Sequence, residues 1–574
     1  MLITINKNHN KDNNIEIDKS RDISQSNGKD VKVIVFGYPF KGDKWVRAED
    51  VLELELKMKN GYHEDIDGCY SIIIFNNKNV KIIIDRYGIY NLFYTFHEDT
   101  LLISDNVNSI IKKIGTFDLN EKSIIQFINF GYVMGNHTHV KGVRRFEPGT
   151  INILKKDLEI SSSKYWSFIN PEMDKMEKEL FADIFNKHMK TGLELTESVS
   201  LPITGGLDSR TILSACTENL DKVHCYTHGV GYSYDMKVAG EICSKMGIKH
   251  EVYDLDEKWI KQLPELVEEH AGIFNGMVNT VIFCHLANSI EKENGKGGMF
   301  LSGILSNEVH RVMLVNDKVR GSDTPEDVSR SIYELGIKMT FLDAFNNHSE
   351  EDIRNMLVSS IHEIISDAGT DDPVNMAEHY CYNIFGPNVA ALQLKYIGKC
   401  FSIFNPFIQK DLFQAIPGMA FDDKATGEYH KHIVKKNNEY LASIPLASGD
   451  PRVGFSTPKE DIGGKFRSMK AEQGYRMRHV SNTLSSKFLK KKVFDIPLFG
   501  PADYPKWLRE YHADWMKEIL DHDNMMLKHL IKKDILEKAL DEFLNQDKNF
   551  LFYFLTSIIS LELWLRNVGY SNAH

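Results

Sequence analysis

The chain has few of the residues that cross-link small extracellular proteins. Its 574 residues include only seven cysteines, and no two of them form a C-x-x-C pair. An odd, dispersed set of cysteines is typical of reduced thiols and argues against a disulfide framework. His224, Cys225 and His228 are close together in the sequence, but they lie on a predicted strand and its exit. Packing is therefore favoured over a metal site for these three residues.

An excess of positive charge is also missing. The formal net charge is −11, whereas a general nucleic-acid binder would show a basic face. The N-terminus, MLITINKNHN, lacks the basic start and apolar core of a signal peptide. The longest apolar stretch, residues 550–565, is interrupted by polar residues and is too short to span a bilayer. We therefore expect a cytoplasmic protein with no nucleic-acid or membrane partner.

What the chain does contain is the composition of an ordinary globular protein. Apolar residues make up 42% and charged residues 26%. A prior of about 150 residues per domain predicts two to four units. Residues 1–30 are rich in Asn, Lys, Asp and Ser and are predicted to include a mobile loop or tail.

The N-terminal part is predicted to be rich in β-structure. Short apolar runs separated by turn residues predict strands at 31–36, 70–75, 80–85, 92–96, 101–104 and 151–154. Apolar residues at helical spacing predict one helix over 119–130.

The second part alternates apolar strands with helices, as a parallel sheet requires. A helix-compatible segment, 170–197, leads into it. Strands are predicted at 199–203, 222–227, 250–253 and 299–301, and a helix at 235–246. Beyond about residue 310 the pattern predicts mainly helices.

The stretch SVSLPITGGLDSRTILSA, residues 198–215, carries the strongest functional signal. It predicts a strand, a tight loop and then a helix from about Thr211, an arrangement that directs backbone N–H groups at an anion. Gly205 and Gly206 allow close approach of a phosphate, because neither has a Cβ. Thr204 and Ser209 add hydroxyl donors.

Asp208 in the same loop would repel a bare phosphate. Its presence therefore predicts a bridging Mg²⁺. The loop resembles the S-G-G-x-D-S pyrophosphate loop of the ATP-pyrophosphatase enzymes, with Thr204 in place of the first serine. Those enzymes cleave ATP between the α- and β-phosphates, so the resemblance implies ATP and Mg²⁺ as cofactors.

A second loop, LSGILSNE at 301–308, also follows a predicted strand. In doubly wound sheets such loops meet in one crevice at the carboxyl ends of the strands. The loop resembles the S-G-x-G-x-D-E segment that closes over ATP in the asparagine synthetase family, and Ser302, Gly303 and Glu308 match it. Asn307 stands where the family usually has its second Mg²⁺ ligand, an aspartate, and Ile304 replaces the glutamate of true asparagine synthetases. We also expect His228, at the exit of a predicted strand, to contact the nucleotide.

The N-terminal part resembles the same family in five strings, which fall in the family's order. They are Asp67-Gly68, Asp85-Arg86-Tyr87-Gly88, Phe130-Gly131-Tyr132, Glu147-Pro148-Gly149 and Tyr165-Trp166. In glutamine-using members this domain is a class II glutaminase with an N-terminal cysteine nucleophile, whose own α-amine is the base. This chain has Leu2 at that place, and its first cysteine is Cys69. The resemblance therefore implies a structural domain without glutaminase activity.

Two weaker matches lie near the C-terminus. Residues 405–408, NPFI, resemble the family's P-F-L-D segment. Residues 452–455, RVGF, resemble its R-x-K-x-G-F segment, with Arg452 at the place of the catalytic lysine. That lysine stabilises charge on the α-phosphate and the developing intermediate. Arginine keeps the charge with a different reach, and Lys395 or Lys399 are alternative sources of an ammonium group.

The predicted fold class is α/β. Residues 1–168 form an α+β layered sandwich resembling a degenerate class II glutaminase, and 169–197 form a linker and first helix. Residues 198–574 form an asparagine-synthetase-like ATP-pyrophosphatase domain with a parallel sheet and a mostly helical C-terminal part.

The resemblance implies an ATP-dependent, AMP-forming carbon–nitrogen ligase that adenylates a carboxylate, releases pyrophosphate and couples the acyl group to an amine. Without the glutaminase cysteine, the chain is closest in logic to the beta-lactam synthetases and lasso peptide cyclases. The expected substrate is a small molecule or peptide carrying both a carboxylate and an amine, and a partner protein could deliver such a peptide. The alternatives are an asparagine synthetase that uses ammonia and a catalytically impaired nucleotide-binding homologue acting as a partner protein.

Overall fold

The computed structural model describes residues 1–6, 14–16, 22–57, 61–155, 157–169, 175–231, 233–337, 341–444, 446, 502–546 and 548–570. In these ranges no helix is long and apolar enough to cross a membrane. The apolar stretch near the C-terminus forms a largely buried helix, Phe552–Asn567.

The N-terminal part folds into two mainly antiparallel sheets. The first has the order β10-β8-β9-β1-β2, and the second the order β12-β11-β7-β6-β4-β3, with β5 paired to β4. The strands are β1 (Leu2–Asn6), β2 (Asn14–Glu16), β3 (Ile23–Asn27), β4 (Val31–Lys41), β5 (Lys44–Trp45), β6 (Asp67–Asn76), β7 (Val80–Ile84), β8 (Phe93–His97), β9 (Thr100–Ser104), β10 (Arg144–Arg145), β11 (Thr150–Leu154) and β12 (Ile160–Lys164).

Residues 1–30 are expected to include a mobile loop or tail, and those of them that the structure describes lie mostly in the strands β1, β2 and β3. Strand β1 lies inside the first sheet, paired with β9 on one side and β2 on the other. Ile3 and Ile5 are completely buried. The apolar positions of this strand are outnumbered by the polar residues around it, which is why composition pointed to a tail.

Strand β4 explains how the two sheets are packed. Ile34 and Phe36 belong to the main hydrophobic cluster, which also contains β1 and β9 side chains. Val33 and Val35 belong to a smaller cluster that includes Val51 of the helix Ala48–Leu56. Successive side chains of a strand point to opposite faces, so this sheet is buried on both faces and β4 is apolar almost throughout.

A five-stranded parallel sheet forms the core of the second part. Its order is β15-β14-β13-β16-β17. The strands are β13 (Val199–Pro202), β14 (Val223–Gly229), β15 (His250–Asp254), β16 (Met299–Leu301) and β17 (Ser402–Phe404). The first four confirm the predicted strands, whereas β17 was missed because it is short and lies within a mainly helical region.

The described helices surround these sheets. They are α1 (Ala48–Leu56), α2 (Val107–Ile114), α3 (Glu121–Phe130), α4 (Lys178–Glu194), α5 (Leu207–Ser214), α6 (Tyr234–Met246), α7 (Glu257–Lys261), α8 (Leu263–His270), α9 (Thr280–Glu293), α10 (Ser306–His310), α11 (Asp317–Arg320), α12 (Pro325–Gly336), α13 (Glu350–Ile365), α14 (Pro373–Ile384), α15 (Ala391–Gly398), α16 (Lys410–Gln414), α17 (Phe421–Thr426), α18 (Glu428–Asn437), α19 (Glu439–Ser443), α20 (Tyr504–Tyr511), α21 (Ala513–Ile519), α22 (Lys533–Gln546) and α23 (Phe552–Asn567).

The string at 85–88 holds the N-terminal part together and attaches it to the second part. Asp85 is completely buried and accepts hydrogen bonds from the N–H groups of Tyr87 and Tyr70, at 2.7 and 3.1 Å. Gly88 has a φ of +62°, and a Cβ there would lie 2.8 Å from the Pro148 ring. The Arg86 carbonyl accepts a hydrogen bond from the Tyr382 hydroxyl. The role of this string is therefore structural.

Candidate active site at the switch point of the parallel sheet

The first predicted loop lies at the point where the strand order reverses. Strand β13 is flanked by β14 on one side and by β16 on the other, and all three run in the same direction. The loop after β13, residues 203–206, and the loop after β16, residues 302–305, therefore leave the same edge of the sheet. In open α/β sheets the crevice at such a switch point is where ligands bind.

The loop after β13 is closed by its own side chains. The N–H groups of Thr204 and Gly206 donate to the Ser209 and Thr204 hydroxyls, at 3.2 and 3.1 Å. The Gly205 N–H donates to Asp235 Oδ1 at 3.1 Å. Three consecutive N–H groups thus already have oxygen partners. An anion in the loop would take over donors of this kind, in the way that a nest of N–H groups binds phosphate.

Helix α5 begins at Leu207, four residues before the predicted start at Thr211. Gly206 is its N-cap residue and has an extended backbone, with a φ of −77° and a ψ of 178°. As a result Asp208 and Ser209 lie in the first helical turn, where the free N–H groups and the helix dipole favour negative charge.

Asp208 follows the first loop and contacts the second. Its Oδ1 atom is buried and accepts no hydrogen bond. A Cβ placed on Gly303 would lie 3.4 Å from the Asp208 Cβ, so the second loop packs directly on this residue. Burial raises the pKa of Asp208, against the opposing effect of the Arg311 guanidinium. A buried, unpartnered carboxylate oxygen is a suitable ligand for a hard cation.

Three further side chains surround Asp208. Ser306 Oγ and His430 Nε2 are 2.6 Å apart, and the same His430 nitrogen is 3.9 Å from Asp208 Oδ1. Burial, with His310 and Arg311 nearby, lowers the pKa of His430 well below its usual value, so the ring is neutral. Arg311 Nε is buried without a hydrogen-bond partner. The site therefore combines the Asp208 carboxylate with the Arg311 guanidinium.

Glu308 adds a second carboxylate beside Asp208. Burial, together with the nearby charge of Asp208, raises its pKa to about 7. Within the described part of the chain, no group of three or more His, Cys, Asp or Glu could hold a metal ion by itself. Mg²⁺ usually keeps several waters and phosphate oxygens as ligands. The Asp208 oxygen fits that pattern, with Glu308 close by and Asn307 in the same short helix as Glu308.

The raised pKa of Glu308 predicts a stability change with pH. Between pH 4.5 and about 7 the folded state binds more protons than the unfolded state, so stability falls as pH rises through this window. Glu308→Gln removes that loss. Above pH 7 we expect the variant to unfold at a higher temperature than the wild type. Its free energy of unfolding should be larger by at most about 3 kcal/mol. Below pH 4.5 the difference should vanish.

Thermal unfolding without nucleotide at several pH values measures this effect. Glu537→Gln, which changes a carboxylate whose side chain is 61% exposed, is the matched control and should show no such dependence. Equal pH profiles for wild type and Glu308→Gln would contradict the prediction.

His228 lies at the same edge of the sheet, two residues beyond the last β13–β14 pair. Its ring centroid is 4.6 Å from that of His285, and His285 Nδ1 is 2.6 Å from the Tyr504 hydroxyl. Burial lowers the pKa of His228 to about 4. The residue is therefore a neutral, half-buried ring beside the crevice, next to the loop at 203–206 and in contact with α9.

Ser302 and Gly303 are also at this edge. The Ser302 N–H donates to the Phe404 carbonyl at 2.9 Å, and its hydroxyl accepts from the Ile304 N–H at 3.2 Å. Ser302 is completely buried, so its role here is to shape the turn. Asn307 is half-buried in the first turn of α10.

The two lysines proposed as catalytic groups are placed elsewhere. The Lys395 ammonium donates to the main-chain carbonyls of Asn91 and Asp105, in the N-terminal part. Lys399 precedes β17 and thus lies at the amino ends of the parallel strands, opposite the crevice. The assignment of Lys395 and Lys399 is corrected on this ground. Arg452 lies outside the described residues.

Arg210 was not singled out from the sequence. Its guanidinium is completely buried and donates to the carbonyls of Gly205, Leu441 and Ile444. It thereby fastens the loop after β13 to the end of α19. Burying a guanidinium is costly unless its donors are satisfied, so the hydrogen bonds of Arg210 fix both segments.

Four other neighbours of the loops were missed. Asp235 accepts a hydrogen bond from the first loop, and Ser306 is hydrogen-bonded to His430. No local sequence pattern predicts either contact. Arg311 stands three residues after Glu308, a spacing that puts two side chains on one helix face. His430 comes from α18, more than a hundred residues later. Only the Arg311 spacing was available as a sequence signal.

Comparison with known proteins gives two family models. One, described as a glutamine amidotransferase domain, matches residues 40–166, and the other, described as asparagine synthase, matches residues 178–355. Asparagine synthetase [glutamine-hydrolyzing] 1 of Bacillus subtilis (strain 168) is 24% identical over 245 residues, which cover 40% of this chain and 38% of that protein. Putative asparagine synthetase [glutamine-hydrolyzing] 2 of Methanocaldococcus jannaschii is 22% identical over 281 residues, covering 45% and 53%.

The chain therefore matches about half or less of the length of these relatives. Among solved structures, the allosteric regulatory enzyme of purine biosynthesis is 8% identical, with coverage of 40% of this chain and 61% of that one at a TM-score of 0.18. Glutamine phosphoribosylpyrophosphate amidotransferase from B. subtilis is 10% identical, with coverage of 41% and 73% at a TM-score of 0.17. Scores this low support no structural argument.

Proposed function

Because the chain belongs to the asparagine synthetase family, we propose that it is an ATP-dependent, AMP-forming carbon–nitrogen ligase that does not hydrolyse glutamine. It adenylates a substrate carboxylate, releases pyrophosphate and couples the activated acyl group to an amine of the substrate. This is the reaction type of the beta-lactam synthetases and lasso peptide cyclases. The substrate is a small molecule or a peptide with both groups, and a partner protein delivers it if it is a peptide.

One observation carries this proposal. The buried, unpartnered Oδ1 of Asp208 lies where the loops after β13 and β16 meet, at the switch point of the parallel sheet. Without a metal ion, the carboxylate would repel a phosphate bound by the N–H groups of this loop. With Mg²⁺ between them, the carboxylate and the phosphate can both bind the metal. The arrangement is thus suited to holding the pyrophosphate part of Mg²⁺-ATP.

The side chains of the site have separate tasks in this proposal. The loop at 204–209 binds and orients the β- and γ-phosphates through its N–H and hydroxyl groups, after these exchange their present partners. Bound Mg²⁺ supplies charge neutralisation on the phosphates. Arg311 balances negative charge on the side of Glu308, and Arg452 stabilises charge on the α-phosphate during attack.

The N-terminal part supports a reaction without glutamine. Leu2 lies in β1, and Cys69, the one cysteine among residues 1–168, lies in β6 with 2% exposure. Burial raises the pKa of the Cys69 thiol well above its usual value. A nucleophilic thiol needs the opposite, a lowered pKa and access.

We expect no enzyme-dependent release of glutamate from glutamine. The measurement is a coupled glutamate assay with the purified chain, alone and with Mg²⁺-ATP and substrate. Steady release above the level of a heat-inactivated sample would contradict the prediction. A Cys69→Ala variant that abolished such release would identify the nucleophile.

The ligase function itself is tested by ATP–pyrophosphate exchange. Exchange should depend on Mg²⁺ and on one of a panel of candidate carboxylates, and product analysis should show AMP rather than ADP. Asp208→Asn is the inactive control. Absence of exchange with every carboxylate, together with measurable ATP binding, would favour a second candidate: an impaired homologue that binds nucleotide and serves as a partner protein.

Two residues favour that second candidate specifically. Asn307 and Arg452 replace the aspartate and lysine that the family pattern places there. Aspartate with ammonia belongs in the same panel, because exchange with aspartate and formation of asparagine would identify an ammonia-using asparagine synthetase. We do not expect that outcome, because Ile304 replaces the glutamate of true asparagine synthetases.

A further inference from the structure

A polar cavity of about 200 Å³ lies between the N-terminal part and the helices α13 and α14, away from the switch point. Its wall includes Arg145 of β10 and His379 and Asn383 of α14. Gln126 and Ser360 close one side and are bonded to each other at 3.0 Å. None of these residues belongs to the candidate active site.

Arg145 brings a buried positive charge to this cavity, and the carboxylate that acts on it, Glu147, is exposed. Arg145 is 2% exposed. Its Nη atoms donate to neutral acceptors only: the carbonyls of Pro387 and Gly135, at 3.1 and 2.8 Å, and the side-chain oxygens of Asn388 and Asn136. Among the described residues it forms no hydrogen bond to a carboxylate, and its Nε–H is buried without an acceptor.

His379 supplies a second donor without an acceptor. Its Nε2 is 3.0 Å from Asn383 Nδ2, an amide nitrogen that can only donate, so Nε2 accepts. Burial lowers the pKa of His379 to about 4, which makes the ring neutral. The hydrogen of a neutral ring must then be on Nδ1, and this atom is buried with no partner.

Two ion pairs stand among the residues that line the cavity. Lys122 of α3 is 3.6 Å from Glu363 of α13, and Lys164 of β12 is 3.5 Å from Asp367. Each pair joins the N-terminal part to the helical part across the cavity, and their net charge is zero. Glu147, the remaining carboxylate in the lining, is exposed and accepts from Asn136. Among the described residues that line the cavity, the buried guanidinium therefore has no buried counter-charge.

Leaving a buried charge and two buried donors unpaired is costly, and a bound acceptor of negative charge would remove that cost. We propose that this interdomain cavity binds a small carboxylate, held by Arg145 Nε–H and His379 Nδ1–H. The volume equals that of roughly six or seven water molecules in the liquid, which suits an anion between acetate and succinate in size. Because the ligand touches both parts of the chain, its binding stabilises their contact.

The test is a titration of the full-length protein with sodium acetate, propionate and succinate, followed by thermal unfolding and by calorimetry. Sodium chloride at equal ionic strength is the background, and acetamide is the neutral analogue. We expect at least one carboxylate to raise the unfolding temperature beyond the chloride background, and acetamide to have no effect. His379→Leu should weaken its binding by about tenfold or more, as expected for a lost hydrogen bond to a charged acceptor.

Two variants locate the binding site. His379→Asn keeps a donor near the position of Nδ1 and should retain most of the affinity, which separates the lost donor from a general disturbance of α14. Asp208→Asn should bind the carboxylate as the wild type does, so a carboxylate held in the active site would be recognised. No carboxylate effect beyond chloride, or equal affinity for wild type and His379→Leu, overturns the proposal. Binding of inorganic phosphate instead of any carboxylate would overturn the assigned ligand class.

Discussion

Replacing Asp208 with asparagine is expected to abolish ATP–pyrophosphate exchange while leaving the fold intact or slightly more stable. The carboxylate is half-buried beside Glu308, and its Oδ1 atom is buried without a donor. In the nucleotide-free protein this arrangement costs stability, because burial disfavours the charged form. Its removal relieves that cost. Activity should fall by at least about 100-fold, the range seen when one preorganised electrostatic stabiliser is lost.

Opposite signs for stability and activity are what separate a functional carboxylate from a structural one. Unfolding temperature and exchange rate should therefore be measured on the same preparation. Asp221→Ala, an exposed carboxylate beyond the other end of α5, is the matched control and should change neither. Exchange at a near wild-type rate in Asp208→Asn would show that this loop does not hold the metal–phosphate group.

The pyrophosphate loop could be predicted because its signal is local. Strand β13, the glycine pair and the first turn of α5 are all adjacent in sequence, and each residue type has a direct physical role there. The neighbours of Asp208 could not be predicted in this way. His430 reaches it from α18 through the packing of α18 against α5, and no periodicity in the sequence encodes that contact.

The positions of two lysines and of one strand also depend on distant partners. Lys395 and Lys399 were chosen for their charge and their place near the family's C-terminal motifs. Their actual position follows from the direction of β17, which joins the sheet parallel to β16 and therefore places the residues before it at the far edge. In β1 the apolar residues Ile3 and Ile5 lie on the buried face. The strand depends on hydrogen bonds to β9, which is about a hundred residues away in the sequence.

Arg452 is the remaining source of positive charge that the family pattern offers. It lies eight residues beyond Ile444, whose carbonyl is fixed to the loop after β13 by Arg210. Eight residues can span at most roughly 26–29 Å, so the sequence separation alone does not rule out a role for Arg452 at this loop.

Arg452→Ala is expected to slow single-turnover adenylation by about 100-fold or more, because the lost charge stabilises the α-phosphate only as the reaction proceeds. The affinity for ATP should change much less, since the loop at 204–209 supplies most phosphate contacts. Arg452→Lys should recover part of the rate by restoring the charge, although not its planar geometry. Arg467→Ala, from the same segment of sequence, is the control and should leave both quantities unchanged.

If Arg452→Ala adenylates at the wild-type rate, Arg452 is not the charge that the reaction uses. Arg311, whose guanidinium already acts on Asp208 and Glu308, is then the residue to substitute next.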